Sequence, residues 1–281
     1  MKQRFGFTVP LCLLFAGLTL MPAPRAAAQD QSKDVTPPPP VLEVVVEYVK
    51  PGQAGSPHEK TESVFAQAMR DAKWPTPYIG MNALTGKLRA VFYIGYDSFG
   101  DWEKDNAAMA KNATLSAALD NATIADGALL QTVETNVFHF RPDLSLRPGA
   151  DVGRTRFFQV TVFHIHPGHM AEFESLAKLY INAFQNNPNA HWDAFEEMYG
   201  ADGDNVVLVV TPMKSMTDID QQMTDSNKLF STMTEAQRTQ MSNLTAASIE
   251  SSWSGVDAVN PKMSYATDKW TQEDPGFWDQ R

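Results

Sequence analysis

Three histidines lie within six residues of one another in the stretch VFHIHPGHMAEF, residues 162–173. His164, His166 and His169 follow the spacing H-x-H-x-x-H. On a strand, His164 and His166 would project to the same side, and neutral imidazoles are common ligands of transition metals. A metal-dependent enzyme that uses this cluster is therefore one hypothesis for the chain.

An internal repeat gives a second interpretation of the same histidines. The segment VLEVVVEYVKPG at 41–52 resembles FFQVTVFHIHPG at 157–168, and it carries Tyr48 and Lys50 where the later segment carries His164 and His166. Tyrosine and lysine at these positions are typical of an exposed strand end with amphipathic side chains. The repeat therefore favours a strand end without a bound metal, and the sequence implies no cofactor.

A second group of polar residues alternates with apolar ones on the predicted strands of the first repeat. Glu43, Glu47, Arg89 and Tyr93 are expected to line the space between two facing sheets, while Leu42, Val44 and Val46 are expected to pack on helices. A glutamate held there could act as a general base, and an arginine could hold an anionic group. The alternative is a structural Glu–Arg ion pair.

The second repeat lacks these polar groups at the matching positions. Glu47 corresponds to Phe163, Arg89 to Val206 and Tyr93 to Val210. We therefore expect any group that handles a ligand to lie in the first repeat, in a cavity of mostly apolar character.

The elements that must position these residues follow the same order in both repeats. In each, an alternating strand ends at Pro-Gly, a helical stretch follows, and two further strands precede a second helix that is predicted to start at Ser98 or Ser215. A last strand completes the order β-α-β-β-α-β, which is ferredoxin-like. We predict an α+β fold with two tandem ferredoxin-like repeats, 41–147 and 155–266, whose open sheets cover each other, followed by a C-terminal tail at 267–281.

The segment HPGHMAEFESLAKLY at 166–180 within this element order resembles the dimeric α/β-barrel superfamily. That group includes antibiotic-biosynthesis monooxygenases, EthD-like proteins and NIPSNAP-type domains. The resemblance covers nearly all of 42–266 and implies that the two repeats pair their sheets into an intrachain pseudo-dimeric α/β barrel. It also implies functions that range from cofactor-independent oxygenases to domains without chemistry, so the fold alone does not assign one.

The N-terminus has the pattern of a secretory signal. Residues 1–28 contain Lys2 and Arg4, then a mostly apolar run, then Ala26-Ala27-Ala28. We predict cleavage near Ala28, a proline-rich spacer at 29–40, and a periplasmic or secreted protein with no membrane segment after cleavage. The single cysteine, Cys12, lies in the signal, so a disulfide within the mature chain is excluded.

Charge and composition limit the partners. The formal net charge is −10, and loss of three basic residues with the signal leaves −13, which disfavours nucleic acid. We expect a protein that binds a small, largely apolar molecule or a protein partner, as a monomer or homo-dimer. The alternative is a cofactor-independent monooxygenase-like enzyme, so whether the chain is an enzyme stays open.

Overall fold

The computed structural model describes residues 35–200 and 205–279. The predicted signal at 1–28, Cys12 and the first part of the predicted spacer lie outside the described residues. No helix in the described ranges is both long enough and apolar enough to cross a bilayer.

Eight antiparallel strands close into one barrel, in the order β1-β3-β2-β8-β5-β7-β6-β4. The strands are β1 Val41–Val49, β2 Tyr78–Ala83, β3 Arg89–Tyr96, β4 Leu130–Phe140, β5 Phe157–Ile165, β6 Asp193–Tyr199, β7 Val206–Met213 and β8 Ile249–Val259. Within each half the first strand pairs with the third and fourth. Pairing of β2 with β8 and of β4 with β6 joins the halves, so a single chain closes the barrel.

The described residues also form eight α-helices. These are α1 Ser56–Ala72, α2 Phe99–Lys111, α3 Ala113–Gly127, α4 Met170–Phe184, α5 Thr217–Thr232, α6 Glu235–Ser248, α7 Asp268–Glu273 and α8 Pro275–Trp278. The chain therefore has an α+β fold, with an element order that agrees with the predicted one except that the second helical segment of each half is split in two. In the first half the split falls at Asn112, whose side chain caps α3 by accepting from Leu115 N–H.

The predicted helix starts have different outcomes. Ser98 caps α2 by accepting a hydrogen bond from Asp101 N–H, as expected. The prediction for Ser215 is wrong, because α5 begins at Thr217. The Asp218 carboxylate accepts from the backbone N–H groups of Lys214 and Ser215, so it fixes the turn that precedes the helix.

The barrel interior is filled by the uniformly apolar face of the first strands. Leu42 and Val44 belong to one buried cluster that includes residues of all eight strands. The expectation that this face packs on helices is therefore wrong, because the helices cover the opposite face. The β1–β3 register pairs Val44 with Tyr93 and Val46 with Val91, which places Tyr93 and Val91 inside the barrel.

The C-terminal tail packs against the apolar interior cluster. Trp278 is buried, and Trp270 and Phe277 pack on the same cluster. The indole Nε1 of Trp278 donates to Gly153 O at 2.8 Å, and the Arg156 guanidinium lies 3.7 Å from the Phe277 ring centroid. These contacts fix the tail to the end of the barrel where β1 and β5 begin.

Candidate functional site

The other end of the barrel, where β1 and β5 end, retains a cavity of about 120 Å³. We call it the barrel-mouth cavity. Its wall is apolar and includes Val44, Val46, Val91, Val160, Val162 and Leu208. Its polar lining comes from both halves and includes Tyr48, Arg89, Glu134, Asn136, His164, Glu197, Trp253 and Asp257. The second half therefore supplies polar lining as well as the first, and the expectation that ligand-handling groups lie in the first half stays a prediction.

Arg89 is held inside this cavity by an ion pair. Its Nη2 lies 3.0 Å from Asp257 Oδ1, and both side chains are buried. The guanidinium also donates to Thr85 O and lies 4.9 Å from the Trp253 ring centroid. Burial raises the pKa of Asp257, although the neighbouring Arg89 opposes that shift. Arg89 is thus neutralised by Asp257, a residue that the sequence did not single out.

The rim of the cavity carries several groups able to exchange protons or hydrogen bonds. Tyr48 donates through its hydroxyl to Glu134 Oε2 at 3.3 Å, and Lys87 Nζ lies 5.3 Å from the Tyr48 ring centroid. His164 lines the same cavity from β5. With Glu134, Glu197 and Asp257 against one arginine, the lining carries an excess of carboxylates, which favours neutral or cationic molecules over anions.

The four residues predicted to share one lining lie on two sides of the barrel wall. Arg89 and Tyr93 line the cavity, and burial raises the pKa of Tyr93. Glu43 and Glu47 face the helices instead, so their predicted place in the inter-sheet space is wrong. Glu43 lies beside Tyr96, and burial raises its pKa. The physical reason is the pleat: residues one apart on β1 face opposite sides of the wall.

Glu47 belongs to a buried polar cluster beneath α1 and α3. We call it the His58 cluster; it consists of Glu47, His58, Glu62 and Asp126. His58 Nε2 lies 3.1 Å from Glu47 Oε2, 3.4 Å from Asp126 Oδ1 and 3.9 Å from Glu62 Oε1. One potential ligand atom from each side chain lies within 4.8 Å of all the others.

The surrounding structure positions each member of the cluster. His58 and Glu62 are one turn apart on α1, so both face the barrel wall. Glu59 in the first turn of α1 accepts from Asn260 Nδ2 and Lys262 Nζ, which ties this helix end to the chain after β8. Thr61 Oγ1 lies 2.6 Å from Asp126 Oδ1 and orients that carboxylate.

Burial dominates the electrostatics of the cluster. His58 is 1% exposed, Asp126 2% and Glu62 4%. Burial, with the nearby charges of Glu47 and Asp126, raises the pKa of Glu62 to about 10, and burial also raises the pKa of Glu47. Glu62 Oε1 has no hydrogen-bond partner, nor has the buried hydroxyl of Tyr78. Burial and the charge of Glu62 raise the pKa of Tyr78.

The three histidines of the H-x-H-x-x-H stretch are not grouped in this way. His164 lines the barrel-mouth cavity, whereas His166 and His169 lie in the turn before α4, with ring centroids 6.1 Å apart. Among residues 35–200 and 205–279, the His58 cluster is the only group of three or more potential ligands that converges closely enough to hold a metal ion.

Sequence reasoning singled out Glu47 but not its three partners. The stretch HEKTE at 58–62 places a histidine and a glutamate at spacing i, i+4, which was the available signal. Asp126 lies 64 residues further on and gave no signal of its own.

Comparisons with known proteins concern the fold. No family model matches the sequence, and no curated protein matches it. A proposed monooxygenase from Fusobacterium nucleatum subsp. nucleatum is similar in structure, with a TM-score of 0.52 and 11% identity, covering 79% of this chain and 93% of its own.

Two further solved structures are similar over most of their length. An anthrone oxidase-like protein has a TM-score of 0.49 at 12% identity, covering 81% of this chain and 92% of its own. A chlorite dismutase mutant from Candidatus Nitrospira defluvii, in complex with cyanide, has a TM-score of 0.44 at 9% identity, covering 80% and 92%. At such identities the likeness concerns the fold alone, which here is an α+β fold with a closed eight-stranded barrel.

Proposed function

We propose that the barrel-mouth cavity binds a small organic molecule through one largely apolar group. The observation that carries this proposal is the contrast between the two ends of the barrel. One end is packed with aromatic side chains, whereas the other keeps a cavity of about 120 Å³ with an apolar wall and a polar rim. A mostly apolar cavity with a few polar groups is the usual character of a ligand site.

The volume indicates the size of that group. An engineered apolar cavity of about 150 Å³ holds benzene, so the barrel-mouth cavity suits a single ring or an alkyl group of similar size. The exposed Trp253 at the rim offers a flat surface for the rest of the molecule. Because the rim has more carboxylates than cations, the polar substituent should be neutral or cationic.

Binding can be tested with four probes that each contain a benzene ring: two neutral molecules, one cation and one anion. We expect phenol, indole and benzylamine to bind, and benzoate to bind at least tenfold more weakly, in isothermal titration calorimetry. Val162→Phe, which fills the cavity, should abolish binding, while Leu84→Ala, an exposed residue at the same end of the barrel, should not. Equal binding by wild type and Val162→Phe, or no binding of any probe, would contradict the proposal.

A cofactor-independent oxygenase is the second candidate function, acting on a molecule in the same cavity. The observation that favours it is the presence of Tyr48, Glu134 and His164 at the cavity, since such groups can take a proton from a bound phenol. Oxygen uptake with a panel of phenols should then occur and should fall at least 100-fold in His164→Ala. No uptake by the wild-type protein would leave the binding function alone.

We further infer that the two halves, 41–147 and 155–266, arose by duplication, since their element order and strand pairing agree. Closure of the barrel within one chain supports a monomer, which light scattering can test.

The N-terminal pattern supports export to the periplasm or the medium. The experiment that tests it is sequencing of the N-terminus of the exported protein, which we expect to begin near Gln29. The narrower likeness to antibiotic-biosynthesis monooxygenases, EthD-like proteins or NIPSNAP-type domains also remains a proposal.

A further inference from the structure

We propose that the His58 cluster binds one divalent transition-metal ion, Mn²⁺ or an ion of similar chemistry, which fastens α1 and α3 to the outer face of β1. This inference is independent of the proposed function, because Glu47 and the cavity-lining Tyr48 are neighbours on β1 that face opposite sides of the wall.

The spacing of the donor atoms suits a metal ion. Ligand bonds of about 2.1 Å place neighbouring ligand atoms roughly 3.0 to 3.4 Å apart in octahedral or tetrahedral sites. The separations of 3.1 and 3.4 Å from His58 Nε2 to Glu47 and Asp126 lie in that range. The 3.9 Å separation to Glu62 requires a movement of about half an ångström or a trans-like position.

A second observation points to a missing partner. Glu62 Oε1 is buried and has no hydrogen bond, although it is aimed into the cluster. Among the described residues, no lysine or arginine forms an ion pair with any of the four side chains; their ion-pair contacts are with His58 alone. Three buried carboxyl groups beside one imidazole are costly to ionise together without a cation, because buried charges require a partner.

The donor set selects the class of metal. Carboxylate oxygens suit Mg²⁺, Ca²⁺ and Mn²⁺, whereas an imidazole nitrogen favours first-row transition metals. Three carboxylates with one histidine therefore favour Mn²⁺, with Fe²⁺ or Zn²⁺ as chemically related ions. Since the four side chains are largely buried, the ion would stabilise the packing of α1 and α3 and would not meet a substrate.

The test starts from full-length processed protein stripped with a chelator and titrated with MnCl₂, ZnCl₂, MgCl₂ or CaCl₂. We expect one equivalent of Mn²⁺ to remain bound after desalting, and the melting temperature to rise by about 5 to 10 °C at 100-fold excess over Kd. Glu47→Gln and Glu62→Gln should each weaken Mn²⁺ binding at least tenfold. The matched control is Glu174→Gln, since Glu174 occupies the corresponding position on α4 but pairs with Arg141.

Electron spin-echo measurements on wild-type protein with one equivalent of Mn²⁺ keep the test independent of whether the variants fold. Coupling to a histidine nitrogen is expected. Absence of stoichiometric binding would overturn the proposal and leave a proton-sharing network as the account of the cluster. Binding without nitrogen coupling, binding unchanged in both glutamine variants, or a preference for Ca²⁺ or Mg²⁺ over Mn²⁺ would also overturn it.

Discussion

The regions beneath the first helix of each half differ sharply in chemistry although they have the same architecture. In the first half, Glu47 faces α1 and meets His58, Glu62 and Asp126. In the second half, Phe163 faces α4 and packs with Phe173, Met170 and Ile165. The ring centroids of Phe163 and Phe173 lie 5.4 Å apart. One half therefore buries ionisable groups where the other buries an apolar cluster.

Docking a helix on this wall therefore does not require polar residues. An apolar cluster stabilises the contact through burial of surface, at roughly 25 cal/mol per Å². A buried carboxylate without a cation destabilises it. Retention of three such carboxylates in the first half is therefore better explained by a bound ion than by the needs of the fold.

The largest expected loss of stability comes from removing a side chain of the apolar cluster beneath α4. Phe173→Ala should lower the free energy of unfolding by about 3 to 5 kcal/mol, because it leaves a cavity in the apolar cluster. Thr61→Ala, at the corresponding position on α1, should cost about 1 kcal/mol in chelator-treated protein through loss of a hydrogen bond. Urea denaturation measures both values. Equal losses of unfolding free energy in the two variants would contradict the difference in packing between the halves.

The next largest loss of stability is expected at Arg89. Arg89 pairs with Tyr48 on β1, and Val206 holds the matching position in the second half, opposite His164 on β5. Arg89→Met should cost about 3 kcal/mol, because it leaves Asp257 buried without its partner. The double variant Arg89→Met with Asp257→Leu should recover most of that loss. A single variant as stable as wild type would mean that Arg89 is not a structural partner and is free to serve a ligand.

A smaller effect on stability is expected at Asp193, a buried carboxyl group of the second half. Unlike the members of the His58 cluster, it has no other carboxyl group beside it within the described ranges. It accepts from Gly149 N–H at 2.8 Å, and burial raises its pKa to about 6. A carboxyl with a raised folded-state pKa contributes stability that is full below pH 4 and is lost as pH rises through 6.

Asp193→Asn keeps an acceptor for Gly149 and removes that proton linkage. Relative to wild type, it should therefore be more stable by about 2 kcal/mol at pH 7 and little changed at pH 4. Denaturation curves between pH 4 and 7 measure this difference, with an exposed glutamate such as Glu103 changed to glutamine as the control. A constant difference across that range would contradict the assignment.

The sequence was sufficient to predict the element order, because alternation, Pro-Gly ends and internal similarity all agreed, and the family resemblance implied the barrel. It was not sufficient to tell which face of β1 lies inside. Both faces are covered, one by the barrel interior and one by helices, so a hydrophobic pattern cannot distinguish them. Asp257 and Asp126 were missed for another reason, because their partners are distant in the sequence. Asp257 pairs with Arg89, 168 residues away, and Asp126 contacts His58, 68 residues away.

The most direct test of the metal assignment is anomalous diffraction from crystals of the stripped protein grown with MnCl₂. We expect one strong anomalous peak about 2.0 to 2.3 Å from donor atoms of Glu47, His58, Glu62 and Asp126. We expect no comparable peak at Phe163 and Met170, the matching place in the second half. A peak at His164, His166 and His169 with none at the His58 cluster, or no peak at either, would contradict the metal assignment.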